Sequence, residues 1–485
     1  MTAIDIDVQI CISSGIPSFN IVGLPDKAVG ESRERIRAAM NAIGLSIPSK
    51  RITVNLSPAD LMKEGSHYDL AIILGILAIN KNINCSDLSK YIAMGKLSLD
   101  AMIMPVSGVL PAAMFAKKNK KGIICSEKNS SEALLSDCEI ILSAPKLIDI
   151  INHFNGKQLL KRPTQELEKE DNTIADMQDV KGQSNAKNGI IIAAAGKHNA
   201  LMWGPPGTGK SMLAKRIPAL LPEPSPEEIL EINMISSISN NCNNKIKTKR
   251  PFRDPHHSCS MAAMIGGGKI IRPGEVTLAS KGILFLDEFP EFPRTVLDSL
   301  RQPLESKCVT IARVNSHITY PADFQLIAAM NPCKCGYFGH PTKSCSKAPK
   351  CAYDYRNKIS GPMLDRIDIH INVPAIDILS IDKYTKSDST KIIKEKVKNA
   401  HQIQLKRFKG LPITSNAEAG YDVLKEVINI TNDGNNLLKS ALTNLDLSMR
   451  AYIRTLRVAR TIADLYGSST VEQSHVSEAL YFRGF

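Results

Sequence analysis

The residues best suited to chemistry lie between Gly204 and Ser211. The run Gly204-Pro205-Pro206-Gly207-Thr208-Gly209-Lys210-Ser211 is a G-x4-G-K-[ST] pattern. The apolar stretch Ala200–Trp203 precedes it and the helical sequence MLAKRIPALL follows, the strand-to-helix setting that the pattern requires. Glycines let successive backbone N–H groups converge on an anion, and the helix start adds partial positive charge. Lys210 is expected to reach the β- and γ-phosphates of a nucleoside triphosphate, and the Ser211 hydroxyl to ligate Mg²⁺. A second element, Gly282–Glu288 (GILFLDE), is an apolar strand ending in two carboxylates. Alone, such a pair also serves as a helix cap. Behind a phosphate loop, Asp287 is expected to hold Mg²⁺, mostly through water, and Glu288 to orient or deprotonate the attacking water.

A third apolar run, Phe324–Met330, ends in Asn331. An amide there suits either the positioning of a lytic water beside a γ-phosphate or an Asx-turn. Arg366 stands in Leu364-Asp365-Arg366-Ile367-Asp368, just before the apolar run Ile369–Val373. Such an arginine is either a surface ion pair of little worth or, in a ring of subunits, a finger reaching a neighbour's γ-phosphate, worth about 10³–10⁵ in rate. Four of the eleven cysteines, Cys333, Cys335, Cys345 and Cys351, fall within nineteen residues. Four thiolates can close a tetrahedral zinc site; the alternative is free thiols in an exposed loop. His256-His257 resemble metal ligands, but neighbouring side chains point apart and no third ligand is evident, so packing is the expected role.

These residues need a scaffold. The apolar runs alternate with helical segments, the pattern of an α/β fold around a parallel sheet, and ligands in such sheets sit beyond the carboxyl ends of the strands. The chain has 485 residues, room for about three domains. Residues 1–155 read as an α/β domain, with strands at Arg51–Leu56, Gly122–Ser126 and Cys138–Ser143 and helices at Ser32–Ile43 and Tyr68–Ile79. Residues 156–178 are polar, charged and poor in aromatics, a linker. Residues 179–388 form the α/β core that holds the motifs, and 389–485 a helical domain with a Gly/Asn break at Asp433–Asn436.

Composition narrows the class. With 43% apolar and 22% charged residues the chain is neither disordered throughout nor a rod. Its most apolar stretch, Leu70–Ile79, is half the roughly twenty residues that a bilayer crossing needs, and MTAIDIDVQI carries acids where an export signal is basic. No membrane partner is expected. An odd number of cysteines fits a reducing cytoplasm better than a disulfide framework. Sixty-one basic residues against 48 acidic ones leave a net charge of +13, which suits either a phosphate-rich partner or plain solubility.

Taken in order, the four elements resemble an AAA+ ATPase. The runs Arg250-Pro251-Phe252-Arg253-Asp254-Pro255-His256-His257, Ile265-Gly266-Gly267-Gly268, Arg272-Pro273-Gly274-Glu275 and Leu300-Arg301-Gln302-Pro303-Leu304-Glu305 resemble its magnesium-chelatase-like branch. Within that branch, Pro17–Asp26 and Lys50–Leu56 are similar to the first domain of the YifB/ComM family, and Ser448-Met449-Arg450-Ala451-Tyr452 to its C-terminal helical lid. The resemblance covers nearly the whole chain. It implies a P-loop AAA+ domain between a Lon-protease-like α/β domain and a helical lid, assembled as an ATP-driven hexamer. It also implies a DNA helicase that promotes branch migration during DNA uptake and recombination. By the same resemblance Asn331 matches the first sensor, Arg366 the arginine finger, and Arg450 a second sensor that contacts the γ-phosphate from the lid. Asp179–Lys187, with Val180, Gly182 and Gln183, matches the segment lining the adenine pocket.

The chain departs from the family in two ways. Members usually carry a further strand or two before Asp7. Lys63-Glu64-Gly65-Ser66-His67 is similar to the stretch holding Lon's serine nucleophile, but His67 stands at the serine's place. An imidazole cannot form the acyl ester of a Ser–Lys mechanism, so no peptidase activity is expected.

DNA contacts have several candidates. Lys245, Lys247, Lys249, Arg250, Arg253, Lys269 and Arg272 lie in 245–272 against one acid, Asp254. The stretch Cys308–Tyr320 reads as a hairpin turning at Asn315 and carrying Arg313. Arg450, Arg454 and Arg457 share a helix face, ahead of Arg460, and Lys391–Lys409 carries seven bases and one acid. All of these serve equally as solvated faces or subunit contacts. Two other functions stay open: the ATPase subunit of a metal (Mg) chelatase, and a protein-remodelling ATPase without DNA motor activity.

Overall fold

The computed structural model describes residues 3–164, 176–239, 246–268, 271–313, 316–338, 345, 347–375, 388–444 and 448–483. The chain divides into two compact units, Met1–Glu170 with Ile229–Thr248 and Asp171–Glu228 with Lys249–Phe485. Among the described residues no helix is long and apolar enough to cross a membrane.

In the first unit β1 (Asp7–Ser13), β2 (Ser18–Val22) and β3 (Arg51–Ser57) form a sheet in the order β1-β3-β2. The helices α1 (Ser32–Ala42) and α2 (Asp69–Ile79) fall where the apolar spacing expects them. α2 reads DLAIILGILAI, apolar on all sides, as suits a buried helix. Its first residue, Asp69, is a fully buried carboxylate, held by Arg35 Nε at 2.6 Å and by the Ser32 hydroxyl. Burial without such partners would be costly.

A second, parallel sheet runs β4 (Tyr91–Ala93), β5 (Gly122–Ser126), β6 (Ile141–Ala144). The strand expected from Cys138 begins only at Ile141. Asp137 is left-handed at φ 53°, and the Ser136 hydroxyl accepts the Cys138 N–H at 3.1 Å, so a turn occupies the first positions. α3 (Val109–Lys118) covers β5. From Ile229 the helix Pro226–Ile238 belongs to this unit. Its Ser237 carbonyl accepts the Gly108 N–H at 3.0 Å, and its Ser237 hydroxyl donates to Glu132 at 3.0 Å.

The second unit carries α4 (Ser184–Gly196), β7 (Ala200–Trp203), α5 (Lys210–Ala214), β8 (Phe252–Arg253) and β9 (Ile283–Leu286). The hairpin strands β10 (Cys308–Arg313) and β11 (Ser316–Pro321) follow, then β12 (Gln325–Met330), α6 (Lys350–Arg356) and β13 (Ile369–Asn372). Five strands make one parallel sheet in the order β8-β9-β12-β7-β13. Its central strands are continuous apolar runs because both faces are covered. Ile283, Phe285, Ile327 and Ala329 enter one core; Leu284, Leu286, Leu326 and Ala328 enter the other. The sheet's order folds distant motifs side by side: β9 and β12 are neighbours, and β12 pairs with β7, so Asp287, Asn331 and Gly204 leave adjacent strand ends.

The C-terminal helices are α7 (Thr390–Arg407), α8 (Asn432–Asn444), α9 (Met449–Leu465) and α10 (Gln473–Tyr481). The break expected at Asp433–Asn436 does not occur; α8 runs through it. Asn and Asp there open a helix, as capping residues do. A Cβ on Gly434 would stand 3.2 Å from Thr431 Oγ1, so the glycine serves close packing rather than flexibility.

Candidate active site

Lys210 opens α5 directly after the glycine loop, and its ammonium is caged by oxygens. Nζ donates to the Gly204 and Pro205 carbonyls at 2.8 Å each and to Asn331 Oδ1 at 3.2 Å. Burial pushes the Lys210 pKa down, opposed by the charge of Asp287. A buried ammonium held by weak neutral acceptors is prepared for a stronger anion. One residue on, Ser211 Oγ donates to Asp287 Oδ2 at 2.6 Å. Two hard oxygen donors in contact suit two of the six positions of a Mg²⁺ shell. The loop reaches its shape through left-handed backbone at Gly207 and Gly209, with φ of 77° and 88°.

Glu288 also sits in the left-handed region, at φ 51° and ψ 43°, unusual for a residue with a side chain. The turn aims its carboxylate at His257, whose Nδ1 lies 3.3 Å from Glu288 Oε2. No local pattern in the chain announces this partner. His256 is exposed rather than packed, its Nδ1 2.8 Å from Ser258 Oγ, while His257 meets the carboxylate expected to handle water.

The segment expected to hold the base is brought to the same loop. Gln183 Nε2 donates to the Thr208 carbonyl at 3.5 Å and to the Pro374 carbonyl at 2.7 Å. Gln183 Oε1 is buried and has no hydrogen-bond partner among the described residues. That orphaned acceptor fits an exocyclic amine of a purine. Gly182 is left-handed at φ 64°, and the Val180 carbonyl accepts the buried Lys187 ammonium.

Arg366 and Arg450 are elsewhere. Both line a cavity of about 550 Å³ together with Arg454 and Arg457, and no residue of the phosphate loop lines it. Arg366 is bound to Glu305 and donates to the Pro362 carbonyl at 2.5 Å. Arg454 Nε lies 3.5 Å from Asp368 Oδ1. Arg460 points into the core instead, paired with Asp464 at 2.9 Å and 1% exposed.

The cysteines converge. The sulfurs of Cys333, Cys335 and Cys345 lie within 4.8 Å of one another, and Cys351, outside that trio, neighbours Cys345 and Cys333. Tetrahedral zinc with bonds of about 2.3 Å sets its sulfurs roughly 3.8 Å apart, so the donor set fits.

Several basic candidates are committed inside the unit. Arg250 binds Glu228 at 2.8 Å and the Lys281 carbonyl at 2.8 Å, and Arg253 grips Glu275 with both ends of its fork, at 2.6 and 2.8 Å. Arg250 is thereby largely buried, while Arg253 keeps 37% of its side chain exposed beside its partner. Lys394 and Lys396 pair with Glu223 and Asp388 at 3.0 and 2.7 Å. The hairpin β10–β11 is present. Lys245, Lys269, Asn315 and the Arg313 side chain lie outside the described residues. In the first unit the His67 ring lies tilted against Tyr68, centroids 4.1 Å apart, burial lowering its pKa against the pull of Asp69 and Asp26.

Residues 176–381 match the family model described as magnesium chelatase, subunit ChlI. Residues 8–129 match subunit ChlI of Mg-chelatase, and 387–483 match magnesium chelatase, subunit ChlI C-terminal. The chain is 42% identical over 487 residues to competence protein ComM of Haemophilus influenzae, covering 99% of this chain and 94% of that protein. It is 40% identical over 480 residues to the uncharacterized protein YifB of Salmonella typhimurium, with the same coverage of 99% and 94%. Similarity to the magnesium-chelatase subunit ChlI of Porphyra purpurea is 23% over 309 residues, 58% of this chain and 78% of that one. A glycine loop, a strand-end carboxylate pair and full-length likeness together assign the chain to the YifB/ComM family of magnesium-chelatase-like AAA+ ATPases.

Proposed function

We propose that this protein is an ATP-hydrolysing ring motor acting on DNA, a hexameric cytoplasmic helicase that promotes branch migration during DNA uptake and recombination. The observation that carries the reading is the separation of its charges. Lys210, Ser211, Asp287 and Asn331 meet at one set of strand ends, while Arg366 and Arg450 line a different cavity of the same unit. A γ-phosphate held by the first set lacks the guanidinium that hydrolysis calls for, and a second copy of the chain carries one.

In this mechanism the backbone N–H groups of Gly204–Gly209 and the Lys210 ammonium bind the phosphates. Ser211 and Asp287 hold Mg²⁺, which when bound neutralises charge building on the phosphate oxygens. Glu288 takes the proton of the attacking water, Asn331 aligns that water, and Val180, Gly182 and Gln183 seat the base. Arg366 and Arg450 meet the γ-phosphate bound by the adjoining subunit. The four cysteines hold a structural zinc ion. His67 leaves the first unit without peptidase chemistry; casein cleavage by the purified protein, abolished by a change at His67, would overturn that.

The test is ATPase activity with and without single-stranded and forked DNA, at two salt concentrations. Stimulation that fades with salt is expected, because phosphate contacts release counterions. A DNA-independent ATPase that answers instead to a protein partner or to a metal-free porphyrin with Mg²⁺ would replace the motor by the remodelling or chelatase reading.

A further inference from the structure

We propose that the cysteine-held metal centre is a positioning device for ATP hydrolysis: by pinning the turn after Asn331 it fixes the Asn331 amide against Lys210. The proposal rests on the zinc reading above and adds a task to it.

Three observations carry it. First, the ligands begin two residues beyond Asn331, just past the end of β12. Asn331 is followed by Pro332 and Cys333, and Cys333 is fully buried. Its carbonyl accepts the Gly336 N–H at 2.9 Å, closing a tight turn over Cys335. Second, that turn lies directly on the phosphate loop. Gly336 is left-handed at φ 81°, and a Cβ there would come 2.7 Å from Pro206 Cδ. A movement of the cysteine turn therefore moves against Pro206, two residues from Gly204 and four from Lys210.

Third, the other end of the cluster is tied to the strand that carries Glu288. Cys351 lies on α6, whose buried Tyr355 is hydrogen-bonded to the Glu291 carboxylate. Lys358 reaches the same carboxylate at 3.1 Å, and the Glu291 N–H donates to the Glu288 carbonyl at 2.7 Å. The cluster thus bridges the two strand ends that carry the expected water-handling groups. Thiols alone hold such a bridge weakly. A metal bound by four thiolates cross-links the turn to α6 and removes the loop's freedom. Placement is what Asn331 contributes, and a misplacement of about 1 Å costs about 10²-fold in rate.

Trp203 provides a readout apart from activity. It is the sole tryptophan, it ends β7, and it pairs with Met330 next to Asn331. The experiment starts with zinc analysis of full-length protein purified without chelator, then removes the metal by dialysis against a chelator and adds zinc back. About one zinc per chain is expected. Its removal should lower kcat by about 10²-fold and shift Trp203 emission, with helix content unchanged, and added zinc should restore both. Cys351→His, which still offers a ligand, should keep zinc and turnover, whereas Cys351→Ser should lose them. Less than about 0.3 zinc per chain sinks the zinc reading itself. Stoichiometric zinc whose removal leaves kcat and Trp203 emission unmoved leaves that reading intact and overturns the positioning role. Loss of helix content along with the metal also overturns it, since the ion would then be a folding staple.

Discussion

The phosphate loop and the arginine cavity belong to one unit and settle their charges in opposite ways. At the strand ends each polar group is answered within the chain: Lys210 by Asn331 and two carbonyls, Ser211 by Asp287. In the cavity, Lys197, Lys307, Arg366, Arg450, Arg454 and Arg457 face only Glu305, Asp323, Asp368 and Glu418. Asp323 is itself shared by Lys197 at 2.7 Å and Lys281 at 2.9 Å. Burial depresses the pKa values of Arg454 and Arg457, and Arg366 Nε and Arg454 Nη1 are buried with no hydrogen-bond partner among the described residues. Guanidiniums short of acceptors in a recess favour an anion brought from outside. The first site is ready to seat a nucleotide within one chain; the second, with surplus cations, calls for an anion bound by another.

The strongest way to break this contrast is Arg366→Ala. Turnover should fall by about 10³-fold or more, while nucleotide affinity stays, because the phosphate loop is untouched. The same protein mixed with Lys210→Ala should regain part of its activity, each variant lending what the other lacks. If the mixture recovers nothing while both variants still assemble, the two regions do not serve one shared reaction.

Glu288→Gln acts on the other side of the comparison. It should retain ATP binding and lose about 10²–10⁴ in kcat, the usual worth of a positioned general base. Normal turnover would remove Glu288 from the chemistry. His257→Ala should be much milder. Its pair with Glu288 is partly exposed, and such pairs are worth about 0–1 kcal/mol. A change in kcat within about fivefold, with KM unmoved, is expected; a loss as large as that of Glu288→Gln would make the histidine an essential part of the site.

The contrast also explains what the sequence disclosed. Gly204–Ser211 and Asp287–Glu288 are legible because their chemistry is local: a loop followed by a helix, a strand followed by two acids. The parallel sheet is legible for the same reason, since strands covered on both faces, such as Ile283–Leu286, are unbroken apolar runs. Nothing local announces that His257 meets Glu288, or that Arg366 shares a cavity with Arg450, because both follow from how distant segments pack. Arg250 and Arg253 mislead for a related reason. Composition reads them as available charge, and only packing reveals that Glu228 and Glu275 consume them. Gly434 reads as a breaker because glycine's flexibility is visible in sequence while the crowding around it is not.

An effect on stability rather than turnover is expected from β13, whose His370 feels the same surplus of guanidinium charge. Burial first, then the charges of Arg483 and Arg356, hold its pKa down at about 4. An unfolded histidine titrates near 6.5. Between those values the unfolded chain binds a proton that the folded chain refuses, so stability is full above about pH 6.5 and declines as the pH falls to about 4, by at most about 3 kcal/mol. Asp368 does not share this window. Burial raises its pKa, but the neighbouring His198, with Arg454 and Arg457, prevails and holds it at about 2; its contribution is lost only below about pH 4. Urea midpoints measured from pH 7.5 to 4.5 should therefore fall in the wild type and fall less in His370→Asn. Parallel slopes in the two proteins would mean that the imidazole already carries a proton within the fold, and that the acids of this region offset its arginines more fully than the cavity's charges imply.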